Sequence, residues 1–160
     1  MSVAFTKEKS AETASETLLS DRPLSIHPNL VTEDGLKALG SQLYQALEAY
    51  ETAQKIEDMN ERRRQTARPM RDARYFAARV RTAQVLPNPS STDTVAFGST
   101  VILRRDDGRV EKYSIVGEDE ADSKADCISF VSPVARLLMG KAVGDLVRSP
   151  GQALEIIAIS

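Results

Sequence analysis

The sequence predicts an α+β fold in which an N-terminal antiparallel helical hairpin of the coiled-coil type precedes a small antiparallel sheet domain with one helix. Two observations predict it. Apolar residues recur at helical spacing through residues 30–86, with no strand pattern between them. After a linker at residues 87–94, the chain from 95 to 160 instead reads as short strands separated by turn residues. Residues 1–29 are rich in Ser, Thr, Ala, Glu and Lys, and are predicted to be a disordered arm.

The hairpin is predicted from caps and from two apolar seams. Thr32 is the expected N-cap of the first helix, and Glu33 and Asp34 suit the positive end of the helix dipole. Neither helix is apolar all round, so each needs the other to bury its stripe. The seam residues, spaced three and four apart, are Leu36, Leu39, Leu43, Ala46, Tyr50 and Ala53 in the first helix, and Ala73, Phe76, Val80 and Ala83 in the second.

The tip of the hairpin has two interpretations. Helices of equal length put the tip near Met59, where Asp58 or Asn60 would cap the second helix. Pro69 opposes this interpretation, because a proline inside a helix costs roughly 3 kcal/mol. The rival interpretation starts the second helix at Pro69, which suits the first helical position. We favour the midpoint tip.

The sheet domain is predicted from turn signals. Asp106-Asp107-Gly108 separates two strands as a hairpin turn, and Ser149-Pro150-Gly151 separates another pair. Ser132 as N-cap and Pro133 at the first position open a short helix that Gly140 closes. The predicted strands are residues 99–104, 111–116, 127–131, 146–148 and 153–159, with the helix at 133–139.

The composition excludes several classes of protein. The formal net charge of −2 gives no overall attraction to nucleic acid or membranes. One cysteine, Cys127, excludes an intrachain disulfide framework and fits a reducing cytoplasm, and one His27 cannot form a zinc site with it. No apolar run approaches the roughly 20 residues of a membrane span, and no secretory signal is present. We therefore expect a soluble, cytoplasmic monomer without membrane contact.

The C-terminal residues carry a set of motifs in a fixed order. They are Phe97-Gly98-Ser99-Thr100-Val101, Ile115-Val116-Gly117-Glu118-Asp119-Glu120-Ala121-Asp122, Ile128-Ser129, Ser132-Pro133-Val134-Ala135-Arg136, Leu138-Met139-Gly140-Lys141 and Gly144-Asp145. In order and spacing this set resembles the C-terminal domain of the Gre (GreA/GreB) family of bacterial transcription elongation factors. The resemblance implies an FKBP-like fold without isomerase activity.

The hairpin resembles the same family less closely, at residues 31–36 and 83–85. Between these anchors it is shorter than a typical Gre hairpin by roughly two heptads, one per helix, which shortens the rod by on the order of 10 Å. In the cleavage factors of the family, the hairpin enters the secondary channel of RNA polymerase. An acidic pair at its tip there helps to hold a catalytic Mg²⁺ ion.

Asp58 and Glu61 are the matching candidates for that acidic tip, since Asp58-Met59-Asn60-Glu61 keeps the Asp-x-x-Glu spacing. The resemblance implies that they assist the Mg²⁺ of the polymerase, while the chain holds no metal alone and has no cofactor of its own. The alternative is a helix cap with a solvated acidic residue. After Glu61, the run Arg62-Arg63-Arg64 departs from the family pattern.

Eight arginines follow the tip, with Asp72 as the only acidic residue among them. They are predicted to lie on the polar surface around the seam: Arg62, Arg63, Arg64, Arg68, Arg71, Arg74, Arg79 and Arg81. Arg62, Arg63, Arg64 and Arg68 are the candidate contacts to nascent RNA or to the channel walls. The alternative is a solvated face whose arginines pair with Glu48, Glu51 and Glu57 of the first helix.

The acidic loop of the sheet domain resembles the surface by which Gre factors dock on polymerase. Its candidate residues are Asp119, Glu120 and Asp122, together with Ser132 and Pro133. The alternative is an ordinary charged loop beside a helix start.

The resulting prediction is a factor that binds bacterial RNA polymerase, inserts its hairpin in the secondary channel and modulates elongation, with stimulated cleavage of backtracked RNA as one activity. It would act through the polymerase active site and would not itself be an enzyme. One alternative is a non-cleaving channel regulator or inhibitor, resembling the regulator of nucleoside diphosphate kinase. Another is a proline isomerase or peptide-binding module, which the few aromatic residues (Phe97, Tyr113 and Phe130) argue against.

Overall fold

The structure, a computed structural model, describes residues 19–160, so most of the predicted arm lies outside the described residues. The chain divides into two compact units. The hairpin unit consists of the described residues up to Ser25 together with Leu39–Thr82. The sheet unit consists of Ile26–Ala38 and Ala83–Ser160, so the first turns of the first helix belong to it. Residues 30–38 and 83–86, at the two ends of the predicted hairpin range of 30–86, belong to the sheet unit by this division.

The hairpin consists of α1, Glu33–Gln54, and α2, Met59–Thr82, joined by residues 55–58. Leu39, Ala46 and Ala53 are buried at intervals of seven along α1, and Ala73 is buried on α2. The spacing is that of a coiled-coil seam, and alanine at these positions lets two helices approach closely. The predicted helical hairpin is confirmed.

The start of α2 at Met59 decides between the two predicted tips. The midpoint tip is correct, and the start at Pro69 is wrong, because Pro69 lies inside α2. A proline within a helix removes one backbone hydrogen bond and crowds the preceding turn. The capped start before Met59 and the seam beyond Pro69 keep the helix continuous across it.

The sheet unit contains a five-stranded sheet. Its strands are β3, Thr100–Arg105; β4, Val110–Val116; β5, Cys127–Ser129; β6, Leu146–Ser149; and β7, Gln152–Ile159. They lie side by side in the order β5-β4-β3-β7-β6. The helix α3, Pro133–Leu138, lies against β6. The core is formed by Val95, Val101, Leu103, Ile115, Ala135, Leu138, Val147, Leu154 and Ile156, all of which are buried.

The sheet is mixed, which corrects the prediction of an antiparallel sheet. β3 pairs antiparallel with β4 and β7, whereas β5 runs parallel to β4, with Val116 opposite Ser129. Residues 117–126 carry the chain back along β4 before β5 begins. A short 3₁₀ helix, Ser123–Ala125, and Asp126 with a left-handed φ of 55° complete this return. A three-residue strand shows no alternation that could reveal its direction.

A second, two-stranded sheet joins the chain before α1 to the chain after α2. β1, Leu30–Val31, pairs parallel with β2, Gln84–Val85. The Gln84 N–H donates to the Asn29 carbonyl at 2.8 Å, and the Leu86 N–H donates to the Val31 carbonyl at 3.0 Å. Nothing in the sequence pattern predicts this pair. Among the described residues, no helix is long and apolar enough to span a membrane.

Candidate functional site

The first candidate residue, Asp58, is the N-cap of α2. Its Oδ1 accepts a hydrogen bond from the Glu61 N–H at 2.7 Å, and its carbonyl accepts from the Arg62 N–H at 2.8 Å. Asp58 is exposed. The carboxylate therefore satisfies one of the free amides at the helix start while its remaining lone pairs face solvent.

The second candidate, Glu61, is half-buried and has two partners on its own helix. Its Oε2 accepts from the Arg64 guanidinium at 2.6 Å, and its Oε1 accepts from the Gln65 amide at 2.8 Å. Asp58 caps α2 and Glu61 lies in its first turn, so both carboxylates are at the tip. Among residues 19–160, no group of three or more His, Cys, Asp or Glu side chains could hold a metal ion.

The arginines of α2 pair with acids other than those that the alternative interpretation named. Arg71 and Arg68 lie 3.3 and 4.0 Å from the Asp72 carboxylate. Arg74 donates to Asp21, from the segment before the hairpin, at 2.8 Å. The acids that pair with Arg64, Arg68, Arg71 and Arg74 come from α2 itself and from Asp21, and none of them is Glu48, Glu51 or Glu57.

Two arginines have particular positions. Arg62 donates to the Ile56 carbonyl at 3.3 Å, which braces the loop between the helices. Arg79 is buried, with 3% of its surface exposed, so it does not lie on the polar surface as predicted. Arg63, Arg64 and Arg68 are exposed. Arg74 and Arg81 are exposed as well, so the exposed positive charge runs along α2 from its first turns to its last.

The acidic loop of the sheet unit holds the start of α1. Thr32 accepts from the Gly35 N–H at 2.9 Å and caps α1, while its hydroxyl donates to the Glu120 carboxylate at 2.7 Å. Gly35 is buried, and a Cβ there would lie 2.6 Å from Glu120 Oε2. Gly117 is equally close-packed, because a Cβ would overlap with the Leu30 carbonyl oxygen. Glu120, a predicted docking residue, is therefore engaged within the chain.

The other predicted docking residues have separate roles in the fold. Asp122 caps the 3₁₀ helix by accepting from the Lys124 N–H at 3.0 Å. Ser132 caps α3 by accepting from the Ala135 N–H at 3.4 Å, and Pro133 is exposed beside it. Asp119 is exposed as well. Because β4 and β5 are parallel, the residues that follow both strands leave the sheet at the same edge.

The thiol of Cys127 lies in this acidic surrounding. Burial raises its pKa, and the charges of Glu120, Asp122 and Asp126 raise it further. The thiol is therefore held in its protonated form, which is a poor nucleophile. The loop acts as a concentration of negative charge rather than as a reactive centre.

The C-terminal residues match a family model, and relatives match over longer stretches. The model described as "Transcription elongation factor, GreA/GreB, C-term" matches residues 89–160. Transcription elongation factor GreA of Desulfovibrio desulfuricans is 35% identical over 133 residues, which cover 78% of this chain and 82% of that protein.

Other similarities cover one part of the chain or are more distant. GreA of Chelativorans sp. is 56% identical over 66 residues, which cover 39% of this chain and 42% of that protein. The chain thus spans less than half of that relative's length. The crystal structure of GreA factor homolog 1 (Gfh1) of Thermus thermophilus is 22% identical, with a TM-score of 0.40, and covers 84% of this chain and 99% of that chain.

Proposed function

Because the chain belongs to the GreA/GreB family of transcription elongation factors, we propose that it binds bacterial RNA polymerase, places its helical hairpin in the secondary channel and modulates elongation there. The observation that carries the proposal is the start of α2 at Met59. With this start, Asp58 is the residue that caps α2 and Glu61 lies in the first turn of the helix. The chain acts through the polymerase active site and performs no chemistry of its own.

The tip carboxylates supply what a shared Mg²⁺ site needs. Mg²⁺ takes one or two carboxylates and keeps several of its waters, so a partner protein can complete a site that the polymerase provides. Asp58 has lone pairs free beyond its cap bond. To bind the metal, Glu61 gives up its ion pair with Arg64. Both side chains of that pair are about half exposed, so the ion pair contributes only about 0.2–1 kcal/mol to stability.

A second candidate function is a channel-occupying regulator that does not stimulate cleavage. The ion pair of Glu61 with Arg64 and the run Arg62-Arg63-Arg64 favour it, because they compensate the acidic charge at the tip. In this function the arginines bind the phosphates of nascent RNA or acidic channel walls, with Arg63 and Arg68 as the exposed contacts.

The docking surface that we propose consists of exposed residues in the segments that flank β5. It includes Asp119, Asp122 and Pro133. Glu120 and Ser132 contribute by holding the local backbone, since Glu120 binds Thr32 and Ser132 caps α3.

The experiment mixes the protein with backtracked polymerase complexes and follows the release of short 3′ RNA fragments. Asp58→Asn keeps the cap, because Asn caps a helix as well as Asp does, but removes the charge. Glu61→Gln likewise keeps the side-chain size. If the tip assists the metal, each change lowers cleavage by about tenfold or more, as loss of a metal-site group does.

Arg64→Gln is the matched variant, because it frees Glu61 without removing an acidic group. Cleavage through Glu61 predicts that this variant is at least as active as the wild type. Polymerase binding without any cleavage supports the second candidate instead. Failure of the wild-type protein to bind polymerase contradicts both functions.

A further inference from the structure

A short segment before the sheet unit lies on the surface of the hairpin. We name residues 19–22 the strap. The Arg22 guanidinium stacks over the Tyr75 ring, 3.9 Å from its centroid, and lies 5.1 Å from the Phe76 centroid. Its Nη1 also lies 3.4 Å from Asp72 Oδ1. Arg22 thus combines a cation–π contact with an ion pair on adjacent turns of α2.

The neighbouring residues of the strap also contact the hairpin. Asp21 accepts from Arg74 at 2.8 Å. Leu19 lines a cavity of about 320 Å³ together with Tyr50, Ala67 and Met70. The strap presents an acid followed by a base, opposite an acid and a base on α2. This order favours one alignment of the strap on α2, since a shift of the strap by one residue would bring like charges opposite each other.

The position of the strap along the rod matters for any partner that encloses the hairpin. Its contacts with α2 fall at residues 72 to 76, and the cavity that Leu19 lines extends toward residue 63. At 1.5 Å per residue, residues 72 to 76 lie about 20 to 25 Å from the first residue of the helix. A chain segment adds about 5 Å to that face of the hairpin.

The contacts of the strap are those of a releasable segment. The side chains of Asp21 and Arg74 are 71% and 51% exposed, and that of Arg22 is 37% exposed. Ion pairs and cation–π contacts at such exposure are weak one by one. The docked strap is therefore held by a small number of weak contacts that act together.

We propose that the strap is an autoinhibitory device: docked on α2, it opposes insertion of the hairpin into an enclosing channel, and it leaves α2 when the hairpin inserts. This inference rests on the proposed function. A docked strap lowers the apparent affinity for the channel in proportion to the fraction of molecules in which it is released.

The test measures the affinity of the full chain for RNA polymerase core enzyme. Arg22→Ala removes the stacking and one ion pair, and Asp21→Ala removes the other. Each variant is expected to bind about threefold to tenfold more tightly than the wild type. Arg109→Ala is the control for Arg22→Ala, because it removes an exposed arginine in the turn between β3 and β4 and should not tighten binding.

A second measurement detects docking in the free protein. The Arg22 side-chain Nε–H resonance is expected to be shifted by the Tyr75 ring current, and Tyr75→Leu should abolish the shift. Absence of the shift in the wild type overturns the strap. Equal or weaker polymerase binding by Arg22→Ala and Asp21→Ala overturns it too, and leaves the proposed function standing. Failure of every protein, wild type included, to bind polymerase overturns both proposals.

Discussion

The two helices of the hairpin begin with the same capping device in different surroundings. At the start of α1, Thr32 accepts from the Gly35 N–H and donates its own proton to Glu120. At the start of α2, Asp58 accepts from the Glu61 N–H, but it is exposed and has no partner from another element in the contacts described. The first cap belongs to the packing of the sheet unit, whereas the second belongs to its helix alone.

The difference shows that a capping motif fixes the local geometry of a helix start but not how much the cap contributes to the stability of the fold. Around Thr32, a side chain from a distant loop and a close backbone approach add to the capping bond. Around Asp58, solvent competes for the carboxylate. Stability concentrated at the start of α1 leaves the tip residues available for a role set by a partner.

The largest expected effect is at the close approach beside the α1 cap. Gly117→Ala should lower the free energy of unfolding by about 3 kcal/mol, because its Cβ would overlap with the Leu30 carbonyl oxygen. Chemical denaturation measures it. Gly40→Ala is the matched control, since Gly40 lies within α1 with open space around it and should gain about 0.5–1 kcal/mol. Equal effects of the two changes would contradict the close approach.

A smaller effect is expected at the α1 cap itself. Thr32→Ala should cost about 2 kcal/mol, because it removes the cap of α1 and leaves the half-buried Glu120 without its donor. Thr32→Ser keeps the hydroxyl and should stay close to the wild type. A double-mutant cycle with Glu120→Ala should show coupling between the two residues, and purely additive changes would argue against the hydrogen bond.

The smallest effect is expected at the tip. Asp58→Ala should cost about 0.5–1 kcal/mol, because only one exposed capping bond is lost. Asp58→Asn keeps that bond and should leave the unfolding midpoint nearly unchanged. A loss at Asp58 as large as that at Thr32 would remove the contrast between the caps.

Local features of the fold were predictable from the sequence. The seam through Leu39, Ala46 and Ala53 and the capping pair of Ser132 with Pro133 depend on neighbours within a turn or two. The spacing and the types of the residues are therefore enough to predict both features. The tip near Met59 follows from two helices of equal length, and Pro69 is a single unfavourable residue that a 24-residue helix accommodates.

Contacts between distant residues were not predictable. Thr32 and Glu120 are 88 residues apart, and nothing in the spacing of either joins them. The direction of β5 depends on the return of residues 117–126, which a strand of three residues does not record. The contacts of Arg22 were not predictable either, because composition measures apolar content whereas Arg22 is held by charge and by an aromatic ring.

Because β1 pairs with β2, hairpins of different length can be joined to the same sheet unit. Residues just before α1 and just after α2 are hydrogen-bonded to each other, so both ends of the helical hairpin are fixed in the sheet unit. A heptad removed from each helix together preserves the seam and leaves both ends where they were. The length of the hairpin can thus vary in steps of about 10 Å while the sheet unit stays the same. A longer hairpin could therefore be grafted between Val31 and Gln84 without any change to the sheet unit.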